Sequence, residues 1–547
     1  MAAVVALAPF PLKKQSSSFK DRIQHAHSSW DIWAIGITIV IGGQFFSWNA
    51  GLVVGTAGFG LAIFLMGSAY ICLACSMAEM SSMLPFAGGV YGLSRVSLGF
   101  YTGFILGCCE VLEYVLYVAS MTISVGKTVT TRWPAMGACQ PLIWFSAIAF
   151  SLAIISVGGK VFWHFNRTLA ILLVLQVTVY CLGSIPYTDM AQHAGGPDHA
   201  FVGDFSQWFT AFPTAMWFYV GIESLNTLCN EVDDPKHTIP RGQVLCITTL
   251  FVSSIAVYVV AIGLSPGVDN LPTVLVIFNG GFTQLFHLSD GDASLLSLPA
   301  CFASIPGFLL ATGNIITALA DSKLVAYPLH RRHPTFGTPV RAMACASILS
   351  FAMCFGAYYE PDASIIFYDM SMFFGCVAYT AQCVGYIFLK RRYKTMARSY
   401  CSPFGIWGAI FAMMVFTASG VSILGFQNHG SSGNVTIFAT LFVLSLYYHG
   451  YAKANQSMSD DERKVLFFAH IGKLLWMIYV CDGEFLFVAN HNKAKHKRKK
   501  TCIMRHLLAL WQRMQGPLED ATKSTRTRRS SVSVAPQEAT QAGPTKP

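Results

Sequence analysis

Residues 41–51 read IGGQFFSWNAG. They lie inside an apolar run, residues 32–57, that is long enough to cross a bilayer, since a crossing needs roughly 20 mostly apolar residues. Two glycines, a glutamine, a serine and an asparagine in the middle of such a run are costly. An unpaired backbone group in hydrocarbon costs several kcal/mol, so a broken helix survives only inside protein or beside a wet cavity. There its free N–H and C=O groups become ligands: an N-terminal half-helix end attracts carboxylates, and a C-terminal end attracts cations. Close packing through Gly42 and Gly43 is the alternative. It does not account for Gln44, Ser47 and Asn49 in the same stretch.

The rest of the chain fits a membrane setting. Of 547 residues, 54% are hydrophobic and 12% charged, with mean hydropathy +0.50. A soluble domain carries about 25% charge. Eleven further apolar segments follow the first: 59–83, 101–126, 142–158, 168–186, 207–229, 243–264, 299–320, 340–358, 363–389, 404–425 and 434–451. With residues 1–30 in the cytoplasm, 18 Lys and Arg before residue 450 face inward and only Lys127 and Arg132 face outward. That split follows the positive-inside rule and places both ends of a multi-pass protein in the cytoplasm, with the plasma membrane the expected location. The predicted organisation is a cytoplasmic segment 1–30, a twelve-helix domain 31–451 and a cytoplasmic tail 452–547.

The tail carries 17 of the 37 Lys and Arg residues. Residues 465–488 read as an interfacial segment. The run KAKHKRKK at 493–500 is expected either to attract anionic lipid or to be a solvated charge run. Residues 517–547 have a disorder-like composition. Charge concentrated beside apolar segments does not describe a nucleic-acid binder. The 16 cysteines fall mostly in apolar runs and read as small hydrophobes. No cofactor is expected beyond a coupling ion, H⁺ or Na⁺, and no metal site.

A second interruption stands five segments later. Residues 212–226, FPTAMWFYVGIESLN, place Gly221, Glu223, Ser224 and Asn226 in the sixth crossing. Interrupted first and sixth crossings are what a five-plus-five inverted repeat requires. In the third crossing, Glu110 and Glu113 share one helix face with Tyr114 and Tyr117. Two ionised carboxylates so close repel, so one is expected to carry a proton. Intramembrane acids mark cavities or coupling sites, with hydrogen bonding to a neighbouring helix the alternative for each. Asp369 is a further coupling candidate beside Glu110, Glu113 and Glu223. Glu79, late in the second crossing, reads as a gate or helix lock. An acid-lined cavity favours a cation, and rings at Phe45, Trp48, Trp217, Phe218 and Tyr219 are placed to cover an ammonium group.

Residues 78–99, AEMSSMLPFAGGVYGLSRVSLG, contain Glu79, Pro85, Gly88, Gly89, Tyr91 and Arg95 in a characteristic order. Residues 230–242 read NEVDDPKHTIPRG. Both stretches resemble the amino acid–polyamine–organocation permeases. GGQFFSWNAG and EVLEYVL (110–116) look most like the ethanolamine permease branch. The resemblance covers residues 31–451. It implies an all-α, leucine-transporter-like fold of twelve helices, with substrate at the membrane midplane between discontinuous crossings one and six. It places Gly42, Gly43, Gln44 and Phe45 at one end of the substrate. Phe218, Tyr219, Gly221 and Glu223 would hold the other, with Glu113, Tyr114, Thr312 and Asn314 as neighbours and Arg95 in a structural or gating role. The chain departs from the pattern in three places. No arginine occurs at 318–320, no lysine occurs within 168–186, and Gln44 stands where ethanolamine permeases carry an acid.

The expected function is secondary active transport of amino acids or a small amine such as ethanolamine. A transporter-like nutrient sensor and a facilitative uniporter or exchanger are the alternatives. No H-E-x-x-H, no G-x-S-x-G with a triad and no phosphate loop points to an enzyme.

Overall fold

The computed structural model describes residues 28–394, 396, 398–427, 432–459 and 462–463. Every element in it is helical. The readings made for 465–488, 493–500 and 517–547 lie outside the described residues.

The chain enters its first crossing at α1 (Ser29–Val40). Ser28 and Asp31 form a capping box at its start. Asp31 also pairs with Arg167 at 2.8 Å. After one further turn, α2 (Gly42–Phe45), the helix stops. Ser47 takes a left-handed conformation, φ 74°, which non-glycine residues rarely adopt. A 3₁₀ stretch, Trp48–Val54, then leaves at 45°.

Eight long helices follow the predicted apolar segments: α3 (Thr56–Met83), α5 (Phe100–Arg132), α6 (Gln140–Val157), α7 (Gly159–Gly183), α9 (Pro235–Ile262), α11 (Leu298–Asp321), α12 (Val340–Tyr359) and α13 (Pro361–Arg392). Two more, α14 (Gly405–Gly425) and α15 (Ser432–Tyr447), close the set, and α15 runs on through a π-helical turn, Tyr448–Ala452. Among the described residues, ten helices are long and apolar enough to cross a membrane, and the bent first pair makes eleven.

The sixth segment does not count among them because it has no unbroken helix. It comprises α8 (Phe205–Ala211), a 3₁₀ run Phe212–Phe218, a left-handed Gly221 (φ 103°) and a second 3₁₀ run, Ile222–Glu231. A 3₁₀ run beyond three or four residues is uncommon and marks a hinge or strain. Helix bounds also shift from the hydropathy reading. Helix α7 starts at Gly159 rather than at 168, because hydropathy discounts Lys160 and Arg167 although the helix continues through them.

Two connecting segments have structure of their own. The loop after α3 contains α4 (Gly89–Ser97). The segment 265–298 carries short helices, α10 (Asn279–Phe286) among them, and its Phe278 stacks on Phe45 and Tyr180, with centroids 3.9 and 4.0 Å apart.

Candidate substrate site

Most polar groups at the first break bond to the protein itself. Ile277 N–H donates to the Phe45 carbonyl at 3.2 Å, and the Trp48 indole donates to the Gln44 carbonyl at 2.8 Å. Those are carbonyls that a lost helical turn would leave bare. Asn49 donates to Leu271 O at 2.6 Å and Val274 O at 2.7 Å, pinning the loop 265–298. Gln44 is fully buried and donates to Leu250 O (3.2 Å) and Ser253 Oγ (2.8 Å) on α9, so its side chain is engaged with the seventh crossing.

The two breaks meet at Gly43. A Cβ built there would lie 1.8 Å from the Trp217 carbonyl oxygen. One on Gly42 would lie 2.8 Å from Ser304 Oγ and 2.9 Å from Ala300 O on α11. Close backbone approach is thus required, and it occurs where the sixth crossing unwinds. Packing and unwinding, set out as alternatives above, coincide here.

Just beyond this contact lie two fully buried carboxylates. Glu223 Oε2 accepts the Gly221 N–H at 3.1 Å, folding back across the left-handed glycine. Glu113, on α5, accepts the Tyr379 hydroxyl from α13. The two acids act on each other electrostatically. The Tyr114 and Tyr379 hydroxyls stand close to Glu223, yet Glu223 Oε1 and Glu113 Oε2 have no hydrogen-bond partner. Tyr70 OH and Trp217 Nε1 are also buried without one. Rings wall the pair: Tyr70 against Tyr379 (5.5 Å) and Phe416 (5.0 Å), and Phe308 against Tyr114 (5.4 Å) and Tyr117 (5.5 Å).

The remaining predicted residues are distributed around this centre. Glu110 caps α4: its Oε2 accepts Val90 N–H at 2.8 Å and its Oε1 the Tyr114 hydroxyl at 3.2 Å. Tyr219 bonds Ser254 on α9 at 2.6 Å, and Phe218 packs on Trp48 at 4.9 Å. Thr312 bonds back to Phe308 O in its own helix. Asn314 donates to Thr227 O at 3.2 Å and accepts from Arg332, which also pairs with Glu231 at 2.7 Å. Asp369 is nearly buried beside Gly433 at the start of α15. Glu79 is a clamp: Lys390 (2.6 Å), Arg398 (2.9 Å), Tyr386 (2.7 Å) and Ser402 N–H (2.9 Å) all converge on it. Arg95 meets Glu462 at 3.1 Å.

A small pocket opens on each side of the carboxylates. One, about 130 Å³, is lined by Ser47, Lys127, Ser364 and, at its floor, Trp217 and Tyr368. The other, about 50 Å³, is lined by Phe86, Val90, Asn226, Gln382 and Leu389. Ser364 and Leu389 lie on the same helix, α13, roughly 38 Å apart at 1.5 Å per residue, so the pockets face opposite ends of the bundle.

Two broken crossings around a buried polar centre, with pockets at both ends, describe a permease, and comparison with known proteins agrees. The amino acid permease family profile matches residues 28–447.

The chain belongs to the amino acid permease family.

The permease is therefore a multi-pass integral membrane transport protein of the amino acid–polyamine–organocation superfamily. It is similar to the methylthioribose transporter of Bacillus subtilis, 24% identical over 78% of this chain and 96% of the relative. It is similar also to the branched-chain amino acid permease BcaP of the same organism (24%; 59% and 73%). A third relative is the dicarboxylic amino acid permease of Saccharomyces cerevisiae (22%; 69% and 68%). The names of these relatives span a thio-sugar, apolar amino acids and acidic amino acids. The permease shares with them a fold and a transport role, and its own side chains must supply the substrate preference.

Sequence reading missed Tyr70, Tyr379, Phe308 and Phe416. They are ordinary aromatics in apolar segments, and only packing brings them to the acids. The Glu79 partners Lys390 and Arg398 were counted as inward charges. Their convergence on one carboxylate has no signature in spacing.

Proposed function

We propose that the permease is a secondary active carrier of amino acids or of a small amine such as ethanolamine, working by alternating access. The observation that carries this reading is the Glu113–Glu223 pair. Both acids are buried, each keeps an unpartnered oxygen, and both sit beside the break in the sixth crossing. A buried carboxylate costs roughly 3 kcal/mol to insert, and a desolvated unpaired one is strongly unfavourable, so a cation is the ligand that satisfies the pair. The substrate ammonium binds between the two acids with the tyrosine and phenylalanine rings around it. The coupling ion, H⁺ or Na⁺, uses the same carboxylates. Rocking of two five-helix repeats would open first the pocket above Trp217 and then the pocket below Asn226.

The test is uptake into proteoliposomes with a panel of amines and amino acids, with and without Na⁺ and a pH gradient. Glu223→Gln should lower concentrative uptake by about tenfold or more, the effect of one lost charge-assisted contact, while the protein still inserts. Full uptake by this variant would remove Glu223 from the site.

A further inference from the structure

The chain beyond α15 folds back under the bundle. Ser457 N–H donates to Ser322 O at 2.9 Å, at the end of α11. Arg95 on α4 donates to Ser457 O at 3.2 Å. Ser459 and Glu462 form a reciprocal cap: Ser459 N–H to Glu462 Oε2 at 2.9 Å, and Glu462 N–H to Ser459 Oγ at 3.2 Å. That cap fixes the Glu462 side chain with Oε1 pointing into the protein. There it accepts from Tyr91 OH at 2.5 Å, Ser322 Oγ at 3.1 Å and Arg95 Nη1 at 3.1 Å. The Arg95 and Glu462 side chains are each 2% exposed.

What this ion pair holds is α4, and α4 walls the 50 Å³ pocket. Gly89, Val90 and Leu93 line it, opposite Asn226 and Cys229 of the sixth crossing and Gln382 of α13. Both Gln382 amide atoms and Asn226 Oδ1 are buried there without hydrogen bonds. Asn226 lies one turn beyond Glu223, so this mostly apolar pocket, with Asn226 and Gln382 as polar points, lies between the sixth crossing and the Lys- and Arg-rich face. Moving α4 away would widen that pocket. Moving α4 strips Glu462 of two of its three donors, Tyr91 and Arg95, and separates a buried ion pair, which is strongly destabilising. Arg95 belongs to the stretch that resembles the family, whereas Glu462 lies beyond the matched residues 28–447.

We propose that Glu462, held by Ser457 and Ser459, is an autoinhibitory latch. Glu462 locks α4 across the exit on the Lys- and Arg-rich face, and release of this segment sets the rate of opening there. The proposal rests on the carrier reading, and its test needs no substrate, so the two fail separately. Cys229 lines the pocket and is 6% exposed, whereas Cys301 on α11 is fully buried. The full chain in vesicles is treated with N-ethylmaleimide, and the modification rate at each cysteine is followed by peptide mass spectrometry. Glu462→Gln should speed modification of Cys229 by about tenfold or more, as loss of one charge-assisted hydrogen bond predicts, and leave Cys301 unchanged. An unchanged Cys229 rate overturns the latch. Should Cys301 also accelerate in that variant, Ser322→Ala, which removes a single donor, decides: faster Cys229 with protected Cys301 supports the latch, and an unchanged Cys229 overturns it.

Discussion

Gly43 has no substitute. Its position touches the Trp217 carbonyl oxygen, where even a methyl group would sit at 1.8 Å. The atoms it would meet are Trp217 backbone, which cannot rotate away. Gly43→Ala should therefore separate the two broken crossings and reduce uptake to background, with the protein still present in the membrane by immunoblot. Gln44, its neighbour in sequence, serves a different contact. It holds α9 through two hydrogen bonds, and only its Oε1 is left without a partner. Adjacent residues with one expected role thus have separate ones.

Helix α4 shows how an intramembrane acid stabilises a neighbouring element. Glu110 offers its carboxylate to the Val90 amide in the first turn of α4, and a Cβ on Gly89 would strike that carboxylate at 2.3 Å. Glu110 thus makes the hydrogen bond to a neighbouring helix that was the alternative to coupling, and uptake by Glu110→Gln under a pH gradient tests the coupling role. Glu110→Ala should destabilise the protein by about 1–3 kcal/mol, the cost of leaving a buried donor unpaired. Thermal unfolding in detergent checks this, and an unchanged midpoint would refute the cap. The broken sixth crossing makes a complementary point. Its two 3₁₀ runs meet at a left-handed glycine, so Gly221→Ala strains the hinge as well as striking Ile39 and Phe308.

The bundle as a whole is closed at its Lys- and Arg-rich end by several ion pairs: Asp31–Arg167, Glu231–Arg332, Arg95–Glu462 and the Glu79 cluster. Of these Glu79 is the most demanding, because it is fully buried and neutralises both Lys390 and Arg398. Glu79→Ala takes from Lys390 and Arg398 the one carboxylate they share. Breaking a buried pair costs about 3–5 kcal/mol, so the variant should lose that much stability, read as a lower unfolding temperature. Lys390→Met in the same background should recover part of it, because one unpaired charge is then gone.

The apolar segments, the two interruptions and the acids near them were legible in the linear order. Hydrocarbon demands about 20 apolar residues per crossing, and glycine with polar neighbours violates that demand in a way any reader of the chain can see. Which neighbour each polar side chain faces was not legible. Gln44 bonds α9, Asn49 bonds the loop 265–298, Glu110 bonds α4, and Tyr70 and Tyr379 come from crossings far apart in the chain to surround Glu113 and Glu223. A buried donor or acceptor accepts any partner at bonding distance, so its role depends on how each helix is rotated and what packs against it. That is set by the assembled bundle and leaves no trace in the spacing of residues.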